Sequence, residues 1–148
     1  DNNGTYPIKY DWGTLDILNK FLSLKSSTSK YPLIWLIGSK DTDDLIRPRV
    51  TRKARFVIAT KSNNVDEFNN YQYRTDYSLV LIPVYKDFIN LLKRSGISKI
   101  IGDKVDKEVK PNFSFTNNDK GLITTWNALV LDLEIELTEG CINQNIKF

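Results

Sequence analysis

The chain has 148 residues, of which 41% are hydrophobic and 26% charged, with a formal net charge of +3. That is material for one globular domain over 1–148, and the charge is too mild to announce a nucleic-acid binder by itself. There is no histidine and one cysteine, Cys141, which excludes histidine general bases, His-ligated zinc, Cys-His dyads, Ser-His-Asp triads and CxxC sites.

Carboxylate, lysine and tyrosine chemistry stays open, including magnesium held by aspartates. Cys141 cannot close an intrachain disulfide, which fits a reducing compartment or assembly outside a secretory route. The longest apolar runs, Tyr31 to Gly38 and Ser78 to Tyr85, are strand-sized and far below the roughly 20 residues that span a bilayer, so no membrane partner is expected.

In chain order, the first predicted element is a helix from Asp11 to Lys25, capped by Asp11 or Thr14, with Leu15, Leu18, Phe21 and Leu22 on one stripe. Tyr31 to Ile37 is nearly all apolar and reads as a buried central strand. Gly38 to Pro48 reads as a loop carrying Asp41, Asp43 and Asp44. From Arg49 to Lys61, Val50, Ala54, Phe56 and Ile58 share one strand face, while Arg47, Arg49, Thr51, Lys53 and Arg55 make a basic ridge on the other. Ser62 to Asp76 is a long polar excursion, rich in Asn.

Tyr77 to Ile82 is extended or already helical. Pro83 then suits a first helical position and Gly96 the position just past the end. Between them Val84, Phe88, Leu91 and Leu92 form a stripe, with Lys93 and Arg94 placed favourably at the negative end of the helix dipole. Short strands are expected around Lys99 to Ile101 and Val109 to Phe115, and a turn at Asn117 to Gly121. The last element is the clearest. From Trp126 to Leu137 the odd positions Leu129, Leu131, Leu133, Ile135 and Leu137 are an unbroken apolar row, and the even positions run from Ala128 and Val130 to Asp132, Glu134 and Glu136. The sum is an α+β domain, a mainly antiparallel sheet packed on one face by two helices.

Asp41, Asp43 and Asp44 are an oxygen-rich cluster, but the loop glycine and closing glutamate of an EF-hand are missing. No glycine-rich phosphate loop occurs. The basic ridge reads as a solvated strand face, as a protein interface or as a contact for nucleic acid; aromatics interleaved among the cations would favour the last, and Phe56 sits on the opposite face. Complementarity with Asp132, Glu134 and Glu136 is the economical alternative, either within one sheet or between copies. Tyr71, Tyr73 and Tyr77 are a stacking platform or an anchor returning the polar excursion to the core.

Three segments together carry a family resemblance. Tyr31-Pro32-Leu33-Ile34-Trp35-Leu36, then Leu81-Ile82-Pro83-Val84-Tyr85-Lys86-Asp87-Phe88-Ile89, then Trp126-Asn127-Ala128-Leu129-Val130-Leu131 with Glu136-Leu137-Thr138-Glu139-Gly140-Cys141, resemble the tail completion or tail terminator (neck) proteins of tailed phages, particularly the crAss-like phages of Bacteroidetes hosts. Their order and spacing span most of the chain, and they are structural patterns without catalytic signatures. The resemblance implies a non-enzymatic virion component without cofactor or metal, assembled in the host cytoplasm. It implies a ring of self-associated copies, commonly six, with the tail tube protein and neck or connector proteins as partners and a passing contact with DNA. The expected contact residues are Arg49, Lys53 and Arg55, with Glu134 and Glu136 opposite. The alternatives from other classes are a small metal-dependent nucleic-acid-processing enzyme using Asp41, Asp43 and Asp44, and a head-completion adaptor of similar fold.

Overall fold

The computed structural model describes residues 8–23, 32–44, 46, 49–61, 73–111 and 126–138. The helix end at residue 25, the excursion over 62–72, the turn over 117–121, Tyr71, Arg47 and Cys141 lie outside the described residues.

Strand β1 (Lys9–Gly13), helix α1 (Leu15–Ser23) and strand β2 (Leu33–Asp44) form a βαβ unit, with β1 and β2 parallel. Strand β3 (Arg49–Lys61) turns back antiparallel to β2. A widened, π-type helical stretch, Tyr73–Leu81, runs straight into helix α2 (Ile82–Arg94). Strands β4 (Ser98–Ile100), β5 (Asp106–Lys110) and β6 (Trp126–Thr138) complete a 6-stranded sheet in the order β1-β2-β3-β6, with both β4 and β5 on the far edge of β6. All pairings except β1–β2 are antiparallel, so the α+β class and the mainly antiparallel sheet are as expected.

The helices depart from the one-sided expectation and divide between the two faces. On one face Ile34, Phe56, Ile58, Leu129, Leu131, Leu133 and Ile135 meet Tyr77, Leu81 and Val84 of the helical run through α2, with Phe88 edge-on to Phe56 at 4.9 Å. On the other, Leu33, Trp35, Val57, Ala59, Trp126, Ala128 and Val130 meet Leu18 and Phe21 of α1. The reason lies in the central strands. Val57 and Ala59, Ala128 and Val130 alternate with Phe56 and Ile58, Leu129 and Leu131, so this end of the sheet is apolar on both sides and needs cover on both. Each buried Leu, Ile or Val contributes about 1.5–3 kcal/mol.

Two further elements differ from the sequence reading. Residues 11–13 belong to β1, and α1 starts after Thr14, whose Oγ1 accepts the Ile17 N–H at 3.4 Å, so Thr14 and not Asp11 is the cap. The segment read as a loop from Gly38 is strand through Asp44, interrupted by one irregularity between Ile37 and Lys40. The second helix begins one residue before Pro83 and ends before Gly96, whose φ of +67° suits the residue past a helix end. Pro83 cannot donate a backbone hydrogen bond, and the widened turns lie just ahead of it. Tyr77 is buried and its hydroxyl donates to the Ala128 carbonyl at 3.3 Å, while Tyr73 stacks on it at 5.6 Å, as the anchoring reading of these tyrosines expects. Burial pushes the Tyr77 hydroxyl pKa up. No helix among the described residues is long and apolar enough to cross a membrane.

Candidate functional site

Strands β3 and β6 bring the two predicted charge rows side by side in one chain. The register sets Arg55 opposite Asp132, Lys53 opposite Glu134 and Thr51 opposite Glu136. Alternation places all six on the face that α1 covers, but beyond its apolar half, where the side chains are open to solvent. The Arg55 guanidinium grips Asp132 with two hydrogen bonds, of 2.7 and 2.8 Å. Arg49 reaches diagonally to Glu136 at 3.3 Å. Between these two pairs Lys53 and Glu134 face each other, and among the described residues no ion pair closes between them. The five residues expected to act together, Arg49, Lys53, Arg55, Glu134 and Glu136, are therefore neighbours, and the neutralisation of Arg49 and Arg55 is intramolecular.

A groove of about 540 Å³ opens beside this ladder. Its origin is a change of partner along β6, which pairs with β4 at Ile135–Leu137 and with β5 at Ala128–Asp132. In between, Gly102 and Asp103 take left-handed backbone conformations, φ 70° and 51°, and turn the chain outward. Lys53, Arg55 and Lys104 meet Asp106, Asp132 and Glu134 along its walls. Cations and carboxylates balance there, which suits a charged protein surface better than a polyanion, which needs an excess of positive charge. Lys104 and Asp106 carry no local signal of this role in the sequence, because only the strand exchange at β6 brings them to the ridge.

The acidic cluster of β2 does not converge. Asp41 and Asp43 project from one face of the strand and Asp44 from the other. Both Asp41 oxygens are taken by Arg52, at 2.6 Å each, and Asp44 accepts the Ile46 N–H at 3.0 Å. The Arg52 guanidinium holds the Asp41 carboxyl below the usual carboxylate range, and Asp132 raises the pKa of Arg55. The Asp41 contribution to stability is present above the unfolded-state pKa and fades as pH falls through the folded one; at this exposure it is small. Among the described residues no three His, Cys, Asp or Glu side chains gather in a metal-holding group.

No protein-family model matches the chain, and no curated protein matches it.

The ladder itself is open to a direct test. Arg55→Glu sets like charges opposite each other and is expected to lower stability by about 1 kcal/mol, because the site is exposed. Combining it with Asp132→Arg restores the pair and most of the loss in urea unfolding. If the double variant were as weak as the sum of the single changes, the pair would carry no coupling.

Proposed function

We propose that the chain is a structural virion protein, a tail terminator or tail completion subunit that forms a ring, caps the tail tube and joins it to the neck. The observation that carries this reading is the charged face of β3 and β6. Its cations and carboxylates interleave in solvent-open ion pairs beside a balanced groove, a surface suited to complementary docking. The three-segment resemblance to phage tail terminators supports the same role. In this reading the tube protein or a neck protein docks on Arg49, Lys53, Arg55, Glu134 and Glu136, and Lys53 with Glu134 is the pair most available to it.

The test is tube assembly. Purified tube protein polymerised with this chain is expected to give short tubes bearing the chain at one end in cryo-electron microscopy. Lys53→Glu combined with Glu134→Lys, which leaves the net charge unchanged, is expected to weaken capping. Tubes that grow to the same length with and without the chain would overturn the reading.

A further inference from the structure

The sheet ends in two five-residue strands that stand at one level. Reading across it, Lys9 aligns with Leu33, Ala59, Ala128 and Lys110, and Gly13 with Ile37, Arg55, Asp132 and Asp106. Among the described residues no strand pairs with the outer side of β1 or of β5. An edge meant to stay bare carries charges or proline. Both edges do carry charges, Lys9 and Asp11 on β1 and Asp106, Lys107, Glu108 and Lys110 on β5, which oppose pairing wherever like charges meet. Strand β1 also presents Tyr10 and Trp12, 58% and 71% exposed, on the face that holds α2.

The backbone of each edge points the right way for pairing. The Lys9 N–H donates inward to the Pro32 carbonyl at 3.0 Å, so alternation turns the backbone groups of Tyr10 and Trp12 outward. Among the described residues the Trp12 N–H is held by the adjacent Asp11 carboxylate, at 2.8 Å. Strand β6 runs with β1 and β5 runs against it. In a strand of L-residues the side-chain face fixes the direction of the backbone groups. Lys107 and Val109 share the α2 face with Tyr10 and Trp12, as the 4.9 Å approach of Lys107 to the Tyr85 ring shows. On the antiparallel strand β5 their backbone groups therefore point out of the opposite edge. One copy set beside another with faces aligned brings these two edges together as antiparallel partners.

Charge then chooses the register. At level register Lys9 would meet Lys110 and Asp11 would meet Glu108. A two-residue shift in one direction sets Asp11 against Asp106. The shift in the other direction sets Asp11 against Lys110 and Trp12 against Val109, with no like charges opposed. We propose that copies of this chain join head to tail by pairing β1 of one with β5 of the next, Asp11 to Lys110 and Trp12 to Val109. The joint is heterologous, so a rotation that closes gives a ring and one that does not gives a filament. The overlap is short, so each joint is weak alone and closure strengthens the whole.

This inference builds on the ring-forming reading and fails separately from it. Full-length chain, half isotope-labelled, is treated at high concentration with a carbodiimide, which joins a carboxylate to an amine in direct contact. The expected product is a mixed-label peptide linking Asp11 to Lys110, two groups at opposite ends of the sheet in one copy. Asp11→Lys and Lys110→Asp are each expected to reduce linked copies about tenfold, and the double exchange to restore them; circular dichroism checks that each variant folds. Linked copies without this peptide, or a double exchange that restores nothing, overturn the edge pairing and leave the ring. Copies that do not link at all overturn the pairing and self-association together.

Discussion

Trp35→Ala is expected to cost about 3–5 kcal/mol of stability, the range for removing a buried large aromatic from a packed core. Trp35 is 1% exposed and stands where three elements meet. Its ring lies 5.6 Å from that of Phe21 on α1, and its indole N–H donates to the Gly13 carbonyl at the end of β1, at 3.3 Å. A Cβ added at Gly13 would lie 3.1 Å from the Trp35 ring, so the close approach depends on the glycine. Removing the indole opens a cavity that α1 and β1 cannot collapse into without leaving their places on the sheet. Chemical denaturation reads the loss, and hydrogen exchange is expected to rise first in β1. Trp35→Phe keeps most of the packing and loses the hydrogen bond, so its cost is expected to be about 1–2 kcal/mol. A loss below about 1 kcal/mol for the alanine variant would show that β1 and α1 are not held through this residue.

Where the fold was legible in the sequence, the signal was local and periodic. The alternation of Leu129, Leu131, Leu133 and Ile135 in β6 and of Val50, Ala54, Phe56 and Ile58 in β3 gives both strands and both of their faces, because a period of two has no other reading at that length. Pro83 and Gly96 bracket α2 for equally local reasons. What was not legible came from partners distant in sequence. Asp41, Asp43 and Asp44 have poor strand propensity, and only a 13-residue β3 alongside, with Arg52 clamping Asp41, keeps them extended. β1 escaped for the opposite reason: Tyr10 and Trp12 face outward, so its pattern does not mark a buried face.

The candidate site was legible to the same depth. Composition and alternation put Arg49, Lys53 and Arg55 on one face of β3, and Asp132, Glu134 and Glu136 on one face of β6. They left open whether the rows meet within a sheet or between copies. Register answers that, and register is a property of pairing, not of either strand alone. The opposite-face placement of the helices follows from the same limit. Ala128 and Val130 are an apolar start to the second face in the sequence, but only the pairing that sets Trp35, Val57 and Ala59 beside them makes a patch large enough to take α1.

Asn127→Asp is expected to cost about 3–5 kcal/mol at neutral pH, although it changes almost no volume. Asn127 is fully buried, and its side-chain amide donates to the Asp76 carboxylate at 2.6 Å, fixing the widened helical stretch to the start of β6. An aspartate there sets a fully buried carboxylate at hydrogen-bonding distance from the half-buried one of Asp76. They cannot both ionise, so one proton is held between them and the pair titrates above the ordinary carboxylate range. The sign follows from proton counting. With the folded pKa raised, the folded state binds more protons than the unfolded one between the two pKa values, and stability falls as pH rises through that window. Acidification is therefore expected to return about 1.4 kcal/mol per pH unit until the unfolded carboxylates also protonate, near pH about 4. Asp76→Asn added to Asn127→Asp rebuilds an amide–carboxylate pair with the roles exchanged, and is expected to recover most of the loss at neutral pH. Urea unfolding from pH 4 to 8 checks both statements. A pH-independent loss in the single variant would mean that packing, and not the charge of Asp76, governs this contact.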